Sequence, residues 1–234
     1  MTSLESLPAT LDPSVTTRVL EAIEAQKDDL IAIVQNLVRI PSENPKLVDT
    51  TVAGEADVQD YVATILAEIG ATADRWEPLP GRPNLVGTIA GSGGGHSLAI
   101  NGHIDVVPAG NHDDWARSPY SGEIAEGKIW GRGAFDMKGG VGSMLFAALV
   151  LKRLGITLKG DLFLESVIDE ETGGPGTRAT IERGYRPEFA LVVEPTSNLA
   201  VIPVEGGLEW LRVTVTGISG HSAWRYKSVH AGGQ

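Results

Sequence analysis

Four side chains able to hold a metal ion stand next to regular elements of this sequence. His103 lies in Asn101-Gly102-His103-Ile104-Asp105, directly after the apolar run Ser97-Leu98-Ala99-Ile100. Asp169-Glu170-Glu171 follows the apolar run 161–168, and Glu194-Pro195 follows Phe189–Val193. A further acid, Asp136, sits in Gly131-Arg132-Gly133-Ala134-Phe135-Asp136-Met137-Lys138-Gly139-Gly140, just before a helical pattern. Ligands of open α/β sheets bind beyond the carboxyl ends of the strands, so the three strand-end clusters are expected to meet at one edge. Carboxylates gathered there repel one another and raise each other's pKa, and divalent cations remove that repulsion. Two ions about 3.5–4 Å apart need a bridging carboxylate and can activate a water between them. One His, one bridging Asp and two Glu would supply most of such a site. Neighbouring side chains diverge on an extended backbone, so of Glu170 and Glu171 one can bind an ion while the other takes a proton from water. Asp105, two residues after His103, is placed to hold the imidazole tautomer and raise its basicity as a ligand.

Each cluster alone has a plainer reading. His-x-Asp is common in turns, Asp-Glu-Glu is common in solvated loops, and Asp136 or Glu194 could simply cap helices. Their joint placement favours the metal site. Two other chemistries lack their motifs. Gly131-x-Gly133 has Asp136 where a dinucleotide fingerprint has its third glycine, and no Gly-x-Ser-x-Gly elbow is present.

The elements that must position these residues follow from periodicity. Asp12-Pro13 reads as an N-cap and first helical residue, and apolar residues then recur at helical spacing to just before Pro41. A second helix is expected from about Glu55 to Ile69, closed by Gly70. Asn84–Ile89 and Ser97–Ile100, joined by Gly91-Ser92-Gly93-Gly94-Gly95, predict a hairpin. Ile129-Trp130 predicts a short extended piece, Gly139–Leu154 a strong helix, and about Pro175 to Arg183 a short one. The runs 161–168 and 189–193 are apolar enough to predict central, buried strands. Strands alternating with helices predict an α/β domain: a mostly parallel mixed sheet with helices on both faces. Leu208–Thr216 alternates instead, which predicts a one-face-buried antiparallel strand opening a second module. The expected organisation is a catalytic domain over 1–203 and a second, cut-short domain over 204–234.

The 234 residues contain no cysteine, which excludes disulfides, thiolate nucleophiles and zinc–thiolate sites. A metal must therefore sit on His, Asp and Glu. The formal net charge of -11 disfavours nucleic acid and anionic membranes as partners. The N-terminus has no basic and apolar signal pattern and no run approaches the ~20 residues of a membrane span, so a cytoplasmic protein is expected.

Five blocks, in order, carry a family resemblance: Gly102-His103-Ile104-Asp105-Val106-Val107-Pro108; Trp115 and Pro119; Gly131-Arg132-Gly133 to Asp136-Met137-Lys138-Gly139-Gly140; Asp169-Glu170-Glu171-Thr172-Gly173-Gly174; and Glu194-Pro195-Thr196. The chain from about Leu37 onward resembles the metallohydrolase superfamily that includes acetylornithine deacetylase, succinyl-diaminopimelate desuccinylase, aminoacylase and glutamate carboxypeptidase. The resemblance implies a zinc-peptidase-like catalytic domain and an α+β lid that mediates dimerisation. It implies two divalent ions, zinc first, with cobalt or manganese as alternatives. His103 and Glu194 would hold one ion, Glu171 the other, and Asp136 would bridge. Asp105 would orient His103, and Glu170 would deprotonate the water and then protonate the leaving amine. Gly220-His221-Ser222-Ala223 resembles the lid-domain histidine that reaches a partner subunit's site and polarises the scissile carbonyl. His96, His112 and His230 match nothing. The implied activity is cleavage of the amide of an N-acyl amino acid or similar small amine by metal-activated water, as in acetylornithine deacetylase. The block Glu205–Trp210 with His221–Arg225 also resembles formylaminopyrimidine-deformylase-like members. Alternatives are a metallo-carboxypeptidase or dipeptidase acting on short peptides, or an inactive metal-binding fragment. The last reading arises because a further His, which in the family completes the second metal site, is expected beyond residue 234.

Overall fold

The computed structural model describes residues 12–48, 54–196 and 201–203. Its elements run α1 (Pro13–Ala25), α2 (Lys27–Arg39), α3 (Glu55–Ile69), β1 (Thr72–Leu79), β2 (Arg82–Ile89), β3 (Leu98–His103), β4 (Glu123–Ala125), β5 (Lys128–Trp130), α4 (Lys138–Arg153), β6 (Leu162–Val167), α5 (Pro175–Arg183) and β7 (Phe189–Val192). All belong to a first compact unit, Met1–Pro195; of the second, Thr196–Gln234, only residues 196 and 201–203 are described. The strand expected at Leu208–Thr216 and the histidine His221 lie outside the described residues.

The helices form where capping and apolar spacing agree. The Asp12 carboxylate accepts from the Ser14 amide at 2.8 Å, satisfying an orphan donor at the start of α1. Helix α2 buries Ile33, Val34, Leu37 and Val38 on one stripe. Helix α3 buries Val58, Val62, Ile65, Leu66 and Ile69, and ends at Gly70 with φ +81°. There the Gly70 and Ala71 amides both donate to the Leu66 carbonyl.

The main sheet has the order β1-β2-β6-β3-β7. Strands β1–β2 and β2–β6 pair antiparallel, and β3–β6 and β3–β7 pair parallel, so the sheet is mixed. Helices cover both faces. Gly102 of β3 faces Val141 of α4, whereas Asn101 of β3 bonds Thr177 of α5, with Glu165 of β6 bonding Thr180. The core of α2, α3, α4 and the inner strands contains Leu37, Leu66, Leu85, Leu145, Leu149 and Leu164, all buried. Leu145 is fully enclosed, so Leu145→Ala is expected to cost about 2–5 kcal/mol through lost transfer energy and a residual cavity. The shift of a urea unfolding midpoint at constant slope measures it.

The topology corrects three expectations. First, β2 and β3 do not form a hairpin. Strand β6 lies between them, because the glycine-rich segment crosses its start: the Ser92 and Gly93 amides donate to Leu158 and Lys159 carbonyls at 2.9 Å, and the Gly91 amide to the Asp161 carboxylate at 2.8 Å. A Cβ at Gly160 would sit 1.8 Å from the His96 carbonyl oxygen, so backbone packs on backbone here. Strand β6 thus pairs with β2 on one side and β3 on the other, and five of its six residues are buried. Second, β7 is not a buried central strand. It pairs with β3 alone among the described residues, and Phe189, Leu191 and Val192 are 45, 50 and 57% exposed. Third, two strands escape the apolar pattern. Edge strand β1 is polar (Asp74, Arg75, Glu77), as exposed edges usually are. Strand β4 pairs with β5 across a two-residue turn, Glu126-Gly127, with φ of +56° and +72°. That is the type I′ geometry, written here without its usual Asn or Asp.

Candidate metal centre

The carboxyl ends of β3, β6 and β7 converge as parallel neighbours, and α4 begins beside them. His103 ends β3 and is 1% exposed. Its Nδ1 lies 2.8 Å from the Asp105 backbone carbonyl. A carbonyl oxygen only accepts, so Nδ1 carries a proton, and Nε2 is the ring nitrogen turned to the carboxylates. Nε2 faces the Asp136 carboxylate at 3.1 Å, Glu170 at 3.7 Å and Glu194 at 3.8 Å. His103, Asp136 and Glu171 offer ligand atoms all within 4.8 Å of one another.

This donor set is short of positive charge. Burial pulls His103 down, but bonds to Asp105 and Asp136, aided by the charge of Glu170, push it up to about 11. Burial, reinforced by the charges of Asp136 and Glu170, pushes Glu194 up to about 7. Glu171 is also raised, first by burial and then by Asp136. Asp136 is lowered chiefly by its hydrogen bond with His103. The imidazole thus holds a proton against its burial because acids surround it. A divalent cation at the same point would do that work with all of the acids ionised. The residues present therefore fit a metal ion bound by hard and borderline donors.

Close packing brings the candidate ligands together. A Cβ at Gly140 in the first turn of α4 would lie 2.1 Å from the Val193 carbonyl oxygen, and one at Gly102 would lie 2.8 Å from Val141. These glycines let α4, which follows Asp136, approach the strand end that carries Glu194. Asp136 does not cap α4: Met137 holds the N-cap position, with no side-chain cap bond. No helix follows Glu194 among the described residues.

Glu170 and Glu171 are not on extended backbone. They open a 3-10 turn after Asp169, whose φ of +62° reverses the chain. The two side chains still separate: Glu170 approaches His103 Nε2, while Glu171 accepts from the Val107 amide at 3.2 Å. The part played by Asp105 is broader than a brace for His103. Its carboxylate is 3.5 Å from Nδ1 but accepts from the Glu170 amide at 3.0 Å and the Glu171 amide at 3.2 Å.

Several polar residues around the site gave no signal in the sequence. Arg82 grips Glu55 through Nε at 2.5 Å and Nη2 at 2.8 Å, and Asp169 through Nη1 at 2.8 Å. Asn44 contacts both Asp105 and Asp169. Lys138, fully buried two residues after Asp136, donates to the carbonyls of Leu37 at 3.0 Å and Ile40 at 2.7 Å, at the end of α2. Its burial brings its pKa down to about 7. A charge buried at one end of an element is invisible to periodicity. Only the sequence Pro41-Ser42-Glu43-Asn44-Pro45, a polar stretch closed by two prolines, marks the Asn44 loop as a fixed turn.

Comparison with known proteins places this architecture. Residues 99–231 match the model of peptidase family M20/M25/M40. The N-formyl-4-amino-5-aminomethyl-2-methylpyrimidine deformylase of Halalkalibacterium halodurans is 37% identical over 223 residues, covering 94% of this chain and 51% of that protein. A probable succinyl-diaminopimelate desuccinylase of Staphylococcus epidermidis is 32% identical over 207 residues, covering 88% of this chain and 48% of that one. The chain thus spans about half the length of the curated relatives it matches. Human carnosine dipeptidase 1 shares the fold, with a TM-score of 0.66 at 21% identity over 75% of this chain and 40% of that one. With 133 of its 234 residues inside the family model, the chain belongs to peptidase family M20/M25/M40.

Proposed function

We propose that the protein is a metal-dependent amidohydrolase that removes a short acyl group from a small amine, using two zinc ions. His103 and Glu194 would hold one ion and Glu171 the other, with Asp136 shared between them. The observation that carries this reading is a buried imidazole whose Nε2 is turned to three carboxylates, a cluster that a bound cation would neutralise. Bound divalent cations would supply Lewis-acid activation of water and of the scissile carbonyl.

The chain's own residues do the rest. Glu170, whose carboxylate stands beside the ligands and is half exposed, takes a proton from the attacking water. The water oxygen bonds to the carbonyl carbon, the carbon–nitrogen bond breaks, and the proton held by Glu170 passes to the departing nitrogen. A carboxylic acid and an amine result, which at neutral pH become a carboxylate and an ammonium ion. Asp105 holds the amides of Glu170 and Glu171 and fixes the turn on which both side chains ride.

A deacylase is favoured over a carboxypeptidase or dipeptidase because the relatives of highest identity quoted above are named for removing formyl and succinyl groups. Residues 204–234 are read as the start of a lid and dimerisation domain, in which His221 would polarise the scissile carbonyl across a homodimer. A cytoplasmic location belongs to the same reading; no helix among the described residues is long and apolar enough to cross a membrane.

A panel of N-formyl, N-acetyl and N-succinyl amines, acetylornithine and unmodified dipeptides tests the assignment, with zinc content measured alongside. Zinc-dependent release of a free acid from an acylated amine is the expected result. Hydrolysis of dipeptides with every acylated amine untouched would overturn the deacylase reading.

A further inference from the structure

Two buried carboxylates face each other just past the last rung between β3 and β6. The parallel ladder ends at His103 and Val167, with one further bond from the Ile104 amide to the Val167 carbonyl at 3.0 Å. Beyond it the chains separate into the loops that carry Asp105 on one side and Asp169, Glu170 and Glu171 on the other. Asp105 and Asp169 are both fully buried, and unscreened they would drive these loops apart.

We propose that Asn44 is the positioning residue that sets the spacing of these two loops, and through them the distance between His103 and the Glu170–Glu171 pair. Its side-chain amide nitrogen donates one hydrogen to Asp105 at 2.7 Å and the other to Asp169 at 2.9 Å. A carboxylate only accepts, so this amide can face the pair only through its nitrogen. The amide oxygen is held in turn by the Lys46 backbone amide at 3.0 Å. The Asn44 backbone is fixed to the β3 side: its amide donates to the Val106 carbonyl at 2.9 Å, the Val106 amide donates to Ser42 at 3.0 Å, and the Ser42 hydroxyl donates to the Ile104 carbonyl at 2.6 Å.

The other partners keep the bridge under load from both ends. Asp169 is held by Arg82, by the Thr172 hydroxyl at 2.8 Å and by Lys46. Asp105 is held by the Glu170 and Glu171 amides. Asn44 is the one described side chain that touches both carboxylates. Without it, Asp105 loses a buried partner while Asp169 keeps Arg82 and Lys46, and the two ligand-bearing loops lose their common strut. Partners behind a metal ligand tune ion affinity by about 10- to 100-fold.

The inference rests on the reading of His103 and Glu171 as ion ligands, and titration with cobalt(II) separates the two. The visible absorption of bound cobalt reports coordination, and calorimetry reports affinity. Asn44→Ala is expected to weaken cobalt binding about 10- to 100-fold and to alter its spectrum. Gln59→Ala is the control. It removes an equally buried amide, which donates to Pro83 and Ser166 away from both loops. It should lower the melting temperature while leaving affinity and spectrum at wild-type values. Because Asn44 is enclosed, Asn44→Ser is made in parallel as a smaller perturbation, with at least several-fold weaker binding expected. Wild-type affinity and spectrum in a folded Asn44 variant would overturn the inference alone, as would a Gln59→Ala loss as large as that of Asn44→Ala. A wild-type protein that takes up no cobalt would overturn the ion-ligand reading itself, and the inference with it.

Discussion

Replacing Glu170 by alanine lowers turnover by about 10²- to 10⁴-fold, the range of a positioned general acid–base group, while zinc content stays close to that of the wild type. The expectation follows from where the carboxylate stands. Its oxygen is 3.7 Å from His103 Nε2, and like Glu194 it lies outside the tight group of His103, Asp136 and Glu171 ligand atoms; Glu194 is proposed to hold an ion, whereas Glu170 is not. It is near enough to serve a water at the centre and half exposed, so a substrate can reach it. Removing it takes away the proton acceptor and then the proton donor for the departing nitrogen. Glu170→Gln keeps the size and should be equally inactive, because an amide cannot accept the proton at neutral pH. Steady-state kinetics on the best acylated amine, with metal measured on the same samples, decides the matter. Turnover within a few-fold of the wild type would end the assignment, and so would loss of zinc in step with activity.

Asp136→Ala produces the opposite pattern: the metal goes first. Asp136 is 3.1 Å from His103 Nε2 and hydrogen bonds to Glu194, so it touches ligands expected to hold the ions. A bridging carboxylate serves both ions, and its loss should weaken binding by more than the ~100-fold seen for outer partners. Stability supplies an independent readout. A ligand present at 100 times its Kd stabilises the folded state by about 2.7 kcal/mol. The wild type should therefore lose about that much when a chelator strips its zinc, and Asp136→Ala should lose almost nothing. Full zinc occupancy in this variant, or an equal response to chelator, would argue against Asp136 as the bridge.

The candidate ligands were legible because each sits at a change of pattern. His103, Glu171 and Glu194 follow apolar runs, and an acid at the end of a buried strand has few structural reasons to be there. The helices were legible too, since α3 and α5 combine a clear apolar or capping pattern with glycine at the C-terminal end. Strand neighbours were not. The run 189–193 is as apolar as 162–167, yet one lies at the sheet's end and the other in its middle. Composition reports what a strand can bury, not how many strands flank it. The supporting polar network was hidden for a different reason. Glu55, Arg82 and Asp169 look like surface charges in a sequence, and only their mutual pairing explains why they are enclosed, while Lys138 is held by the carbonyls of Leu37 and Ile40.

The placement of β6 between β2 and β3 has a consequence for how the protein is made. Both neighbours of β3, β6 and β7, are encoded downstream of it. As the chain leaves the ribosome, the β1–β2 pair can form at once, but the strand ending in His103 has nothing to pair with until Leu162–Val167 has been synthesised. For that interval an apolar, unpaired strand is carried by the nascent polypeptide, the kind of segment that chaperones bind and that aggregates when they do not. The cluster of His103, Asp136, Glu171 and Glu194 therefore comes together late in synthesis, once the strands that carry it have paired.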